Sequence, residues 1–264
     1  MSQTFPNTAP TRGTYDWLRL RVGMFLRNEL GEPALGTDID YGNWDSFQEG
    51  VVDEIIQSGL FQFYFPPALP GQKVPYEWSF LKIGAQIATA NTDFDYDLPS
   101  DFGGIADDFT WTTGDDKTKP KLVSPEAIMA KRGKAANTGT PEFIAIRPKS
   151  STGSAAQGFE AIVYPTPSAV ETLEYRYLAV PPVLNSTNSY PFGALSHAET
   201  IAASCLAAAE QYWRGTSGPQ RGYFMERLRA SMNIDARGNS LSDDNVRDLM
   251  ESREHGIQAT RNGE

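Results

Sequence analysis

The sequence predicts an α+β protein: a helical bundle with an inserted antiparallel β region and an extended C-terminal segment. Three observations predict it. Apolar residues recur at helical spacing early and late in the chain, as in Leu18, Val22 and Leu26 and again in Ile201, Cys205 and Ala208. Between them, apolar and polar residues alternate with period two, as in Leu81 to Ile87 and Leu173 to Ala179. Helices and strands are grouped rather than interleaved, which argues against a βαβ architecture. The predicted organisation is a flexible N-terminal arm over 1–13, a helical bundle over 14–60 and 192–233, an antiparallel β region over 75–182, and a C-terminal segment over 234–264.

The N-terminal arm is rich in Pro, Thr and Asn. A first helix starts at Thr14, with Leu18, Val22, Phe25, Leu26 and Leu30 on one face and Gly31 as its stop. After a turn-rich stretch, a second helix is expected from Trp44 to Gln57. Asn43 is its cap, and Phe47, Val51 and Ile55 form its stripe beside Trp44, Val52 and Ile56. "FPPALPGQ" breaks the helical pattern.

The β region opens with the alternation of Leu81, Ile83, Ala85 and Ile87. Phe94, Tyr96 and Leu98 alternate with Asp93, Asp95 and Asp97 until Pro99 ends that strand. "LPSDF" then forms a corner between two β segments, with Phe102 anchoring the turn in the core. Phe109 and Trp111 start another strand, and "TGDDKTK" suggests a hairpin loop back into Leu122 and Val123. Ser124-Pro125-Glu126 begins a short helix that Gly133 stops. Strands are expected at Phe143 to Arg147, Phe159 to Tyr164 and Thr172 to Val180.

The chain becomes helical again at Ser196, which with Glu199 has the form of a capping box. Ile201, Cys205, Ala208 and Tyr212 share a face, Ile201 and Leu206 are expected to be buried, and Gly215 ends the helix. Ser217 and Gln220 form a second capping box before Tyr223, Phe224, Leu228 and Met232. After Asn233 the chain turns polar, with one short apolar stripe of Val246, Leu249 and Met250 in a helix over 243–254.

The 264 residues suffice for a real core, and the net charge of -10 argues against a protein that coats DNA. One cysteine, Cys205, rules out an internal disulfide framework, and two histidines leave little for a zinc site. The N-terminus lacks a signal-peptide core, and no run approaches a membrane span. Phosphate-binding, dinucleotide-binding, HExxH and nucleophile-elbow motifs are missing. His197 lies on an apolar stripe and is read as a packed neutral histidine. Cys205, on the same stripe, is a small buried hydrophobe. "DIDYGNWDSFQE" resembles a calcium loop through Asp38, Asp40 and Glu49, but its glycine, Gly42, is one position early. Asp93, Asp95 and Asp97 project together from one strand face and form either a solvated or edge face, a cation-binding row or paired carboxylates. No catalytic set, metal site or cofactor is assigned.

Taken together, "YEWSFLK", "YDLPSDF", "SPEAI", "TGTPEFIAI", "IVYPTP", "LEYRYLAVPP" and the Ala-rich helix pair resemble one family. They are similar to the adaptor, or head-to-tail connector, proteins of tailed bacteriophages, in particular the longer tail-tube-adaptor type of short-tailed phages. The resemblance runs from Tyr15 to Met232.

It implies a virion protein without enzymatic activity, made in the host cytoplasm and placed at the head–tail interface. Its implied partners are the portal protein, a tail or nozzle protein, and copies of itself in a ring of twelve. DNA passes through the lumen without sequence-specific binding, and no membrane is involved. Ala202, Ala203, Ala207, Ala208 and Ala209 are then candidates for ring packing, since small side chains let helices approach closely, although packing within one chain explains them equally well. Val246, Leu249 and Met250 are candidates for portal docking in the 234–264 segment. Two rivals are a β-rich tail-associated binding module and a hydrolase that depends on clustered carboxylates.

Overall fold

A computed structural model of the chain describes residues 10–30, 46–69, 74–112, 117–151, 153 and 156–238. These residues form two compact units. One combines residues up to Ser79 with those from Val183 onward, and the other runs from Phe80 to Pro182.

The first unit is helical. Helix α1 spans Tyr15–Leu30, α2 Ser46–Tyr64, α4 Ala194–Arg214 and α5 Pro219–Gly238. Helix α4 packs against all three others, α1 also meets α2, and α5 packs principally on α4. Thr14 caps α1, its hydroxyl accepting from the Trp17 amide at 3.4 Å. Helix α2 runs seven residues beyond the predicted stop at Gln57. Its stripe of Val52, Ile55, Ile56, Leu60 and Phe63 is buried, so burial carries the helix through Gly59 to the Phe65-Pro66 break.

Two capping expectations are corrected. Helix α4 begins at Ala194 after Gly193 in the left-handed region (φ 73°), with no side-chain cap. Ser196 and Glu199 therefore lie inside the helix, and Glu199 pairs with Arg12 and Arg21. The α5 amide of Gln220 donates to Glu210 of α4 at 2.9 Å, so a neighbouring helix supplies that acceptor. The stop at Gly215 holds: it adopts φ 66° and donates to the Gln211 carbonyl. Helix α5 continues past Asn233 to Gly238 because Asp235, buried, accepts from Tyr76 Oη at 2.9 Å and from the Ser79 amide at 3.0 Å. Trp78 also belongs to this unit, with its indole N–H donating to the Phe63 carbonyl at 2.8 Å.

Among the described residues, the second unit holds ten strands: β1 (Lys82–Ala88), β2 (Asp95–Asp97), β3 (Phe102–Ile105), β4 (Thr110–Trp111), β5 (Lys121–Leu122), β6 (Thr138–Gly139), β7 (Phe143–Pro148), β8 (Phe159–Tyr164), β9 (Thr166–Pro167) and β10 (Thr172–Ala179). Helix α3 covers Pro125–Lys134 between β5 and β6, capped by Ser124 as predicted but running through Gly133. In one sheet, β10 is central: β1 pairs along one edge, and β3 and β4 pair in succession along the other, all antiparallel. The second sheet has the order β2-β8-β7-β5, and the third is β6-β9.

The expected hairpin between β4 and β5 is not formed. β4 joins β10, whereas β5 joins the second sheet parallel to β7. β6 and β9 also pair in parallel, so the region is mixed rather than purely antiparallel. Turn residues alone cannot distinguish a hairpin from a crossing between sheets, because both need the same local reversal.

"LPSDF" is another crossing. It takes the chain from β2 in the second sheet to β3 in the first. The Phe102 amide donates to the Pro99 carbonyl at 3.0 Å, and Tyr177 Oη donates to Asp101 at 2.9 Å. Burial, with Asp101 adding to it, pushes the Tyr177 hydroxyl up to about 12. β10 alternates as predicted: Leu173, Tyr175, Tyr177 and Ala179 are buried, with Phe109 and Phe102 stacking on the two tyrosines. A second core forms from Ile128, Ala145, Ile162 and Tyr164.

Candidate assembly surface

The small residues of α4 work inside the chain. Ala202, Ala203, Ala207, Ala208 and Ala209 are each no more than 6% exposed. The helices approach so closely that a Cβ added at Gly59 of α2 would lie 2.5 Å from Cys205 Cα. Ser204 Oγ donates to the Gly59 carbonyl at 2.7 Å across that contact, and Thr200 and Ser231 hydroxyls meet at 2.6 Å on the α5 side. Helix α4 is thus the spine on which α2 and α5 are mounted.

The helices' outer faces carry large apolar side chains. Phe61 of α2 and Phe65 just past its end are 64% and 42% exposed, with ring centroids 5.1 Å apart. Tyr212 and Trp213 stand exposed at the end of α4, and Tyr223 and Ile234 on α5. Tyr212 and Tyr223, expected on buried faces, are therefore surface residues, and Leu206 is only half-buried. The missed signal was the helical period after Gln57: with Leu60, Phe63 and Tyr64 inside, Phe61 and Phe65 fall one turn apart on the outside. Val246, Leu249, Met250 and the calcium-like residues Asp38 and Asp40 lie outside the described residues. Glu49, from that same stretch, is in the first turn of α2 and pairs with Arg19 at 3.7 Å.

His197 and Cys205 are packed as structural residues. His197 is buried between aromatic rings, 5.3 Å from Trp78 and 6.0 Å from Phe63, and burial lowers its pKa. Cys205 is fully enclosed, and burial pushes its thiol up to about 12, where it is no nucleophile at neutral pH. Asp93, Asp95 and Asp97 are exposed, and Lys149 donates to Asp97 at 2.5 Å. Among the described residues, no group of three His, Cys, Asp or Glu could hold a metal.

A surface hollow of about 700 Å³ beside β10 gathers Asp107, Asp108 and Glu174. Arg176 pairs with Asp107, and Gln86 donates to Glu174 at 2.6 Å, so two of the three acids are already engaged. Among the described residues, no helix is long and apolar enough to cross a membrane.

The family model described as SU10 adaptor protein matches residues 72–248, and no curated protein matches the chain. The matched residues span more than half of the chain, from Gln72 through the whole β unit to α4 and α5. With a mixed β region inserted between helices and the match running through both, the chain belongs to the SU10 adaptor protein family.

Proposed function

We propose that this phage structural adaptor assembles as a ring of twelve copies that joins the portal protein of the head to a tail or nozzle protein. DNA then passes through the lumen without sequence-specific binding. The observation that carries the reading is the set of exposed large apolar side chains on and beside α2, α4 and α5, outside a bundle interior already filled by the chain's own residues. Surfaces of that kind mark contacts with other proteins. The net charge of -10 suits a wall past which a polyanion must slide.

Within each subunit α4 acts from inside, its alanines setting the spacing at which α2 and α5 reach the surface. The residues after Gly238 serve as a docking segment for the portal through Val246, Leu249 and Met250. The particle's head–tail interface is its location, after synthesis in the host cytoplasm.

Purified protein mixed with portal-bearing heads and imaged by electron microscopy tests the reading. A ring at the portal vertex is expected; heads that stay bare at saturating protein would sink it. Deleting 239–264 should leave the melting temperature of the monomer nearly unchanged and remove attachment to the heads.

A further inference from the structure

The bases of the chain are unevenly placed. Residues 117–149 carry eight lysines and arginines against two acids, Glu126 and Glu142, whereas the remaining residues carry fifteen against thirty-one. Four of the eight are engaged. Lys117 pairs with Glu171, Arg147 with Glu160 and Lys149 with Asp97, and Arg132 lies over the Phe94 ring and donates to Thr166 Oγ1 at 3.3 Å. Among the described residues, no ion pair holds the other four, Lys119, Lys121, Lys131 and Lys134.

The fold gathers these four. β5 and β7 are parallel and α3 lies between them in sequence, so α3 runs back across the sheet. Its last turn therefore lies over the start of both strands. Lys131 Nζ stands 4.1 Å from the Phe143 ring centroid, and Tyr164 Oη donates to the Ala135 carbonyl at 3.4 Å. Lys121 is the register partner of Phe143, and Val123, two residues on, packs in the core beneath α3, so Lys121 points to the same face as Lys131. Lys119 and Lys121 are exposed on either side of buried Pro120. Lys134 is exposed three residues after Lys131, on the same side of α3.

Neighbouring acids and apolar side chains point elsewhere. Glu142, next to Phe143, alternates to the opposite face of the sheet. Glu126 is about 140° round α3 from Lys131. Asp93 and Asp95 belong to the β2 edge, three strands or about 14 Å from β5. Leu122 faces the other side of the sheet with its register partner Ile144, and Met129 is about 160° round α3 from Lys131. Protein interfaces are depleted in lysine and centred on apolar side chains, whereas surfaces that take nucleic acid are polar and basic.

We propose that Lys119, Lys121, Lys131 and Lys134 form a contact for the phosphate backbone of a nucleic-acid duplex, made without regard to its sequence. The ammonium groups neutralise phosphates and release their counterions, and the acidic remainder of the chain confines the contact to this patch. The contact stands on the β unit and does not depend on the ring.

Fluorescence anisotropy of two labelled short DNA duplexes of unrelated sequence, titrated with the full chain, tests the patch. Both should bind equally, with log K falling against log salt at a slope of about -3 to -4, as four neutralised phosphates require. Changing all four lysines together (Lys119→Gln, Lys121→Gln, Lys131→Gln and Lys134→Gln) should weaken binding about tenfold or more and bring the slope near zero. Lys131 also covers Phe143, so a triple variant that keeps it guards against misfolding and should still cut the slope to about -1. Arg229→Gln, at an exposed position on α5, should bind as the wild-type chain does.

No binding at about 50 mM salt, a slope unchanged in the lysine variants, or a marked preference for one duplex would overturn the patch. So would polyglutamate of matched charge binding as tightly as DNA, which would make the partner an acidic protein surface. Rings formed at the portal by a chain that binds no duplex would overturn the patch and leave the ring reading standing.

Discussion

Gly59 shows how one missing side chain sets the spacing of two helices. A methyl group there would meet backbone, 2.5 Å from Cys205 Cα, so the helices would have to part. Gly59→Ala should destabilise by about 1–3 kcal/mol, the usual range for overpacking. Gly50, in the same helix, has nothing within 4 Å of the position a Cβ would take. Gly50→Ala should therefore stabilise by about 0.5–1 kcal/mol, because it removes backbone freedom from the unfolded chain. Denaturant melts of the two variants check both signs; equal effects would place the α2–α4 contact elsewhere.

His197 gives a pH dependence. Burial lowers its pKa below the ordinary 6.5, with the charge of Asp235 working partly against that. Below about pH 6.5 the unfolded chain takes up a proton that the folded chain resists. Its stabilising contribution is full above that pH and is lost as the pH falls through it toward the depressed folded value. Between about pH 7 and 5.5, His197→Gln should lose less melting temperature than the wild-type chain. Parallel curves would assign the acid sensitivity to other groups.

At the scale of elements, α4 separates pattern from packing. Ile201 is fully buried, while Leu206, one turn and a half further on, is half-buried although its neighbours are enclosed. Ile201→Ala should cost about 2–5 kcal/mol and Leu206→Ala clearly less, because a cavity opens only at the first. Urea midpoints measure the ratio; equal losses would mean that Leu206 is covered in solution. β10 is the corresponding element of the other unit. One alternating strand serves three partners, which explains why its pattern is the clearest in the chain and why β3 and β4, four and two residues long, carry so little pattern of their own.

For the whole molecule, the chain leaves the helical unit once and returns once. Lys82 of β1 faces Leu178 of β10, so the two ends of the β unit emerge from neighbouring strands about 5 Å apart. That unit has its own buried clusters around Ile162 and Tyr175. Residues 80–182 expressed alone should thus fold and melt cooperatively. A broad, uncooperative transition would mean that the strands lean on the helices for their stability.

The order of the helices and longer strands, the caps at Ser124 and Gly215, the buried face of β10, and the corner at "LPSDF" were legible in the sequence, because each depends on contacts within a few residues or on a repeating period, whereas the two-residue strands β6 and β9 carry no such period. So were the structural readings of His197 and Cys205, through the apolar stripe they share. The length of α2, the acceptor that Glu210 lends to α5, the splitting of β4 from β5 and the exposure of Tyr212 and Tyr223 were decided only by tertiary structure. Each depends on which distant segment arrives opposite, and neither propensity nor periodicity contains that partner.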